Sequence, residues 1–226
     1  MLQLIAPNIW HIQHAFTSNG LPVSSRMTVI RLSNGNLWLH SPVALSSALK
    51  AELDALGKVE FLVAPNKYHH LFVGDYLRAF PAARLYGAPG LSKKRPDLKG
   101  MQELSTHIEP AWQTDLEQIF FAGIPVGNET VWFHRASGTL ILTDLCQWWQ
   151  GDLSFPAKLY ASLTGVRKQL AVPKTIRWMT KDKPAARDCA NKILTWPIER
   201  IVVAHNAIIE KNALASLQQA LSWFEQ

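Results

Sequence analysis

Three short apolar runs each stop abruptly at residues that bind metals or move protons, and this constrains the fold most. Val59 to Ala64 runs into Pro65-Asn66 and then His69-His70; Thr139 to Thr143 runs into Asp144; Arg200 to Ala204 runs into His205. A brief β-branched run bounded by turn residues reads as a strand covered on both faces. Loops at strand ends are where chemistry collects. A fold that delivers all three loops to one edge therefore brings together Asn66, His69, His70, Asp144 and His205.

The rest of the chain supplies two β-meanders, each followed by a crossover. Ile9 to His14, Met27 to Leu32 and Asn36 to His40 read as strands, the last two joined at Ser33-Asn34-Gly35, whose Asn-Gly step favours a tight hairpin. Ser41 and Pro42 then predict a helix start, with Leu45, Leu49, Leu53 and Leu56 on one face and Gly57 as the stop. Asp75 to Phe80 reads as a helix with Asp75 as its cap, and Arg84 to Gly87 as a strand. Ile119 to Ala122, Thr130 to His134 and Thr139 to Thr143 form the second meander, with a turn at Ser137-Gly138. A helix from Pro184 to Leu194, the Arg200 strand and a helix capped by Asn212 close the chain. The implied class is α+β, two mixed, mostly antiparallel sheets facing each other with helices outside, in one domain over 1–226. The segment 146–183, rich in Trp and basic residues, reads as short helices packed over that domain.

The three loops also resemble, in residue type and spacing, those of the metallo-β-lactamase superfamily. The likeness runs from Asn34-Gly35 to His205. The family's His-x-His-x-Asp-His loop falls on Pro65-Asn66-Lys67-Tyr68-His69-His70, with Phe80-Pro81 at the expected distance. Its strand ending in Gly-Asp resembles Gly138 to Asp144, and its strand ending in Gly-His resembles Val202 to His205. The resemblance implies an αββα sandwich and a metal-dependent hydrolase. The departures imply a reduced site. The first two family histidines fall on Asn66 and Tyr68, or within one residue of them, and between Gly123 and Thr130 the chain has Asn128 and Glu129 but no histidine. His40-Ser41-Pro42 stands where the family has Asp-x-Gly.

What remains is one set of four donors, His69, His70, Asp144 and His205, suited to a single zinc, iron or manganese ion. Asp144 would ligate or accept the proton of an attacking water, and Asn66 or Tyr68 would donate to a developing oxyanion on an ester, amide or phosphoester. Asn66 is equally suited to holding its loop in shape. Glu129 reads as a solvated side chain on a strand edge, and His11, His14, His107 and His134 as structural. Trp148, Trp149 and Trp178 read as core or lid packing.

Composition bears on the alternatives. A hydrophobic fraction of 48% against 18% charged excludes a disordered chain. Two distant cysteines, Cys146 and Cys189, give neither a disulfide framework nor a thiolate knuckle, and with no basic apolar leader at Met1 to Phe16 the expected location is cytoplasmic. Loss of family ligands makes a metal-free binding module the alternative to a hydrolase acting on a small-molecule substrate. The net charge of +6, with many basic residues between Lys158 and Lys192, adds a third reading: a binder of nucleic acid or an anionic lipid surface.

Overall fold

The structure, a computed structural model, describes residues 1–18 and 20–226. The first sheet takes β1 (Gln3–Ala6), β2 (Ile9–Ser18), β3 (Leu21–Arg31), β4 (Leu37–His40), β5 (Val59–Ala64), β6 (Arg84–Gly87) and β7 (Gln102–Glu103) in sequence order. Helices α1 (Ser47–Leu56), α2 (Val73–Ala79) and α3 (Leu91–Lys94) lie in its connections. The second sheet contains β8 (Leu116–Phe120), β9 (Thr130–His134), β10 (Thr139–Leu142), β11 (Arg200–Val203) and β12 (Ile208–Ile209), in the order β12-β11-β10-β9-β8. Helices α4 (Phe155–Thr164), α5 (Lys174–Met179) and α6 (Lys183–Ile193) precede β11, and α7 (Ala213–Leu221) ends the chain. Strands β1 to β4 pair antiparallel, β4 to β7 parallel, and in the second sheet only β10 and β11 run parallel.

Alternation along the strands explains the layers. In β5, Phe61 and Val63 point into the space between the sheets, whereas Leu62 and Ala64 lie under α1 and α2 with Leu49, Leu53 and Tyr76. In the second sheet, Trp132 and Ile141 face inward, and Phe133, Leu140 and Val203 pack beneath α6 and α7. Both faces of these strands are covered, so they read as unbroken apolar runs. The product is the expected αββα sandwich. Among the described residues no helix is long and apolar enough to cross a membrane. Both cysteines are buried free thiols.

Several local expectations need correction. The first helix begins at Ser46, whose hydroxyl accepts from the Leu49 N–H at 3.1 Å, and not at Ser41. The Ser41 N–H instead extends the β-ladder by donating to the Val63 carbonyl, and its left-handed backbone (φ 55°) turns the chain away from a helix. Asp75 lies in the first turn of α2 beside Arg78, whereas Phe72 occupies the cap position without a side-chain bond. Asn212 precedes α7 in the left-handed conformation, and its side chain makes no capping bond. Trp178 is 84% exposed, against the packing role read for it, whereas Trp149 is buried.

Strands β2 and β3 are longer than their apolar cores suggest, and segment 146–183 rests on the added length: Ala157 and Ala161 of α4 pack with Trp149 against Leu21 and Val23. Deeper along β3, Arg26 is buried between the sheets. It donates to the Val203 carbonyl (3.0 Å), the Asn206 carbonyl (2.6 Å) and His11 Nδ1 (2.5 Å). Burial and the neighbouring Arg26 charge push the His11 pKa down from 6.5 to about 4, so the ring is neutral in the fold. The unfolded chain then binds the proton more tightly. The stabilisation from neutral His11 is complete above pH 6.5 and is lost as pH falls from there towards 4, by up to about 3 kcal/mol. Urea midpoints measured across this range should decline in the native protein and flatten measurably in a His11→Gln variant; equal slopes would show that His11 does not contribute.

Candidate metal centre

The carboxyl ends of β5, β10 and β11 meet at one edge of the sandwich. There His69, Asp144 and His205 place their ligand atoms within 4.8 Å of one another. His205 Nε2 lies 3.0 Å from Asp144 Oδ1, and His69 Nε2 lies 3.4 Å from Asp144 Oδ2. On the far side of each ring, the His205 Nδ1–H donates to the Ser24 carbonyl at 2.8 Å, and His69 Nδ1 meets the hydroxyl of Ser41 at 2.7 Å and that of Ser25 at 3.3 Å. The Ser24 carbonyl can only accept, which fixes the His205 proton on Nδ1 and leaves Nε2 facing a carboxylate. Two acceptors at 3.0 Å require a cation or an extra proton between them. Outer hydrogen bonds of this kind are what orient metal-binding imidazoles, and ligand atoms 3.0–3.4 Å apart match the edge of a polyhedron with bonds near 2.0–2.1 Å. The donor set therefore fits one divalent ion.

Without a metal, the same atoms hold a proton. Burial opposes a charge on His205, but the bond to Asp144, the Asp144 charge, the Ser24 carbonyl and the Glu129 charge together outweigh it and raise its pKa. Burial likewise favours the neutral form of Asp144, yet the two histidines hold its carboxyl well below the usual range.

Two buried side chains shape the floor. Asn66, which the sequence left between two roles, holds the loop. Its Oδ1 accepts the N–H groups of Tyr68 and His69, both at 2.8 Å, and its amide donates to Thr143 Oγ1 (2.9 Å) and Asp144 Oδ2 (2.8 Å). Glu129 corrects the sequence reading. It is buried, not solvated, and accepts the N–H groups of Thr143, Asp144 and Leu145 at 2.7, 2.9 and 2.9 Å. Burial and the Asp144 charge raise its pKa above the usual carboxylate range. Its place just before the buried strand β9, with the apolar run Val131-Trp132-Phe133, was the one available signal, because such a position gives Glu little solvent. Ser24, Ser25 and Arg26 had no sequence signal, and Ser41 only a misleading capping signal: their roles arise from contacts between residues far apart in sequence.

His70 does not join His69, Asp144 and His205. Its Nδ1 accepts from Arg95 at 3.0 Å, which puts the ring proton on Nε2. Burial, with Lys94 and Arg95 nearby, lowers its pKa to about 4, so it stays a neutral N–H donor. Tyr68 lies on the cavity wall, with its pKa raised by burial and by Asp144.

The cluster sits at the bottom of a cavity of about 420 Å³. Phe16, Leu21 and Val23 wall one side, and Trp149, Ile176 and Met179 another. Among the described residues, no Lys or Arg lines it, and its only carboxylate is Asp144.

Comparison with solved structures finds this fold at low identity. The metal-soaked Flv1 flavodiiron core from Synechocystis matches over 99% of this chain with TM-score 0.67 and 10% identity, and the chain spans 60% of that protein. A metallo-β-lactamase from Pontibacter korlensis matches 98% of each chain with TM-score 0.63 and 13% identity. One from Erythrobacter litoralis, with β-mercaptoethanol in its active site, matches 98% of this chain and 96% of its own with TM-score 0.64 and 12% identity. The fold is therefore that of the metallo-β-lactamases. No curated protein matches the sequence significantly. Residues 7–149, which include His69 and Asp144 but stop short of His205, match a family described as a domain of unknown function, and the chain belongs to that family, DUF4336.

Proposed function

We propose that His69, Asp144 and His205 hold one divalent metal ion and that the protein hydrolyses uncharged esters or amides. The convergence of two imidazoles and a carboxylate, with His205 locked by a backbone carbonyl at the base of a cavity, carries this reading. An ion held there would lower the pKa of a bound water and polarise a carbonyl oxygen. The protein's own groups supply the rest. Asp144, besides ligating, would take the proton of the attacking water. Tyr68 keeps its phenolic proton and can donate to the developing oxyanion, a role Asn66 cannot fill because its amide is spent inside the protein. A cavity wall without cations favours carbonyl substrates over phosphoesters, whose charge would go uncompensated.

One observation favours a second reading, a metal-free binding module. The Asp144 carboxylate already receives bonds from Asn66 (2.8 Å), Gln147 (3.2 Å) and His205 (3.0 Å). Elemental analysis and titration with Zn²⁺ separate the two. The native protein is expected to bind one equivalent, and Asp144→Ala or His205→Ala to lose at least about a hundredfold in affinity, no less than the most that losing a residue behind a ligand costs. His70→Ala is expected to retain binding. Equal affinity in all four proteins, or no stoichiometric metal in any, would leave the metal-free module as the better reading.

A further inference from the structure

Helix α4 is amphipathic in the wrong sense for a domain surface. Its small residues, Ala157 and Ala161, are buried, while Phe155, Leu159 and Leu163, four residues apart and so on one side of the helix, face solvent. Phe155 is 77% exposed and Leu163 65%. The neighbouring α5, packed against α4, adds the exposed Trp178. The fold gains nothing from holding these side chains in water, and contiguous exposed apolar residues mark an interaction surface.

The charge around this face identifies the partner. Residues 146–183 contain seven Lys and Arg against two Asp, which places five of the six net positive charges here. Lys158, Lys168, Lys174 and Lys181 are exposed, and one of the two carboxylates, Asp152, is already paired with Lys158. A second copy would bring like charge against like. Phe155 and Trp178 could stack on bases, but Leu159 and Leu163, which make up the middle and end of the exposed stripe on α4, offer no stacking surface. Exposed apolar side chains on a helix within a lysine-rich segment are what binds the headgroup boundary of an anionic bilayer. We propose that the α4–α5 face docks on an anionic lipid surface, with Phe155, Leu159, Leu163 and Trp178 entering the interface and the lysines meeting lipid phosphates and carboxylates. Tyr160 of α4 and Ile176 and Met179 of α5 also wall the cavity, so docking would set its apolar side next to the membrane. This inference rests on the surface alone and holds whether or not a metal is bound.

Co-sedimentation of the full chain with vesicles tests it. Phosphatidylcholine containing about 30% phosphatidylserine should bind the protein at about 50 mM salt, and phosphatidylcholine alone should not. Phe155→Ser/Leu163→Ser/Trp178→Ser, all exposed positions, should reduce binding at least about tenfold with an unchanged melting temperature. Lys168→Glu/Lys174→Glu should weaken it similarly and flatten its salt dependence. Three outcomes would overturn the proposal: no binding to anionic vesicles, binding unaffected by the apolar triple substitution, or a dimer that the triple substitution dissociates.

Discussion

Glu129→Ala is expected to destabilise the protein by about 3–5 kcal/mol, because three backbone N–H groups at Thr143, Asp144 and Leu145 lose the one side-chain acceptor they have among the described residues. Removing the carboxylate also relieves its repulsion with Asp144, which keeps the net cost below the sum of three orphaned donors. Glu129→Gln should fall between: one oxygen still accepts, but the new amide points a donor at a donor. Urea unfolding with an unchanged slope gives the stability term, and Zn²⁺ titration should show a drop of about 10–100-fold, since Glu129 fixes the loop on which Asp144 rides. A loss below about 1 kcal/mol would show that this loop is held in place by other contacts.

Arg26→Ala is the second large effect. The guanidinium reaches from the first sheet to the carbonyls of Val203 and Asn206, on either side of His205, so one side chain brackets a proposed ligand from both directions. Burial lowers its pKa to about 10, and it remains charged at neutral pH. Among the described residues, truncation leaves the Val203 carbonyl and His11 Nδ1 without their Arg26 donor and the Asn206 carbonyl with only the Gln13 amide at 3.1 Å, an expected loss of about 3 kcal/mol, together with at least a tenfold weaker Zn²⁺ affinity. Arg26→Lys should not restore either, because one ammonium cannot span three acceptors spaced for a planar fork. A signature separates this role from simple packing. With the Arg26 charge gone, the His11 pKa rises from about 4 towards its ordinary value, and the acid-sensitive window of stability narrows. An Arg26→Lys variant with native stability and affinity would refute the bracket.

The parts of the fold that the sequence made legible are those where one residue type answers to one physical demand. β5 and β9 were read to the residue, because strands covered on both faces have apolar runs that end where the cover ends. Asn34-Gly35 gave the hairpin, with Gly35 at φ 84°, for the same reason: few residues accept that backbone. The start of α1 was misplaced because Ser41 carries a capping signal that a ladder bond to Val63 overrides. Within the site, periodicity cannot say which of two adjacent loop histidines turns inward. That is decided by Asn66, whose Oδ1 gathers the N–H groups of residues 68 and 69 and turns His69 towards Asp144, while Arg95 captures His70. Burial of Glu129 was signalled only by its place before Val131-Trp132-Phe133, because the N–H groups that receive it lie on a loop fourteen or more residues away in sequence.

His69 belongs to the first sheet's half of the chain, and Asp144 and His205 to the second. Nothing can close that triangle until both halves have docked, so during synthesis the cluster cannot form before residue 205 has emerged. A ligand gripping all three would therefore oppose global unfolding and not local fraying, and its protection against amide exchange should spread through both sheets together.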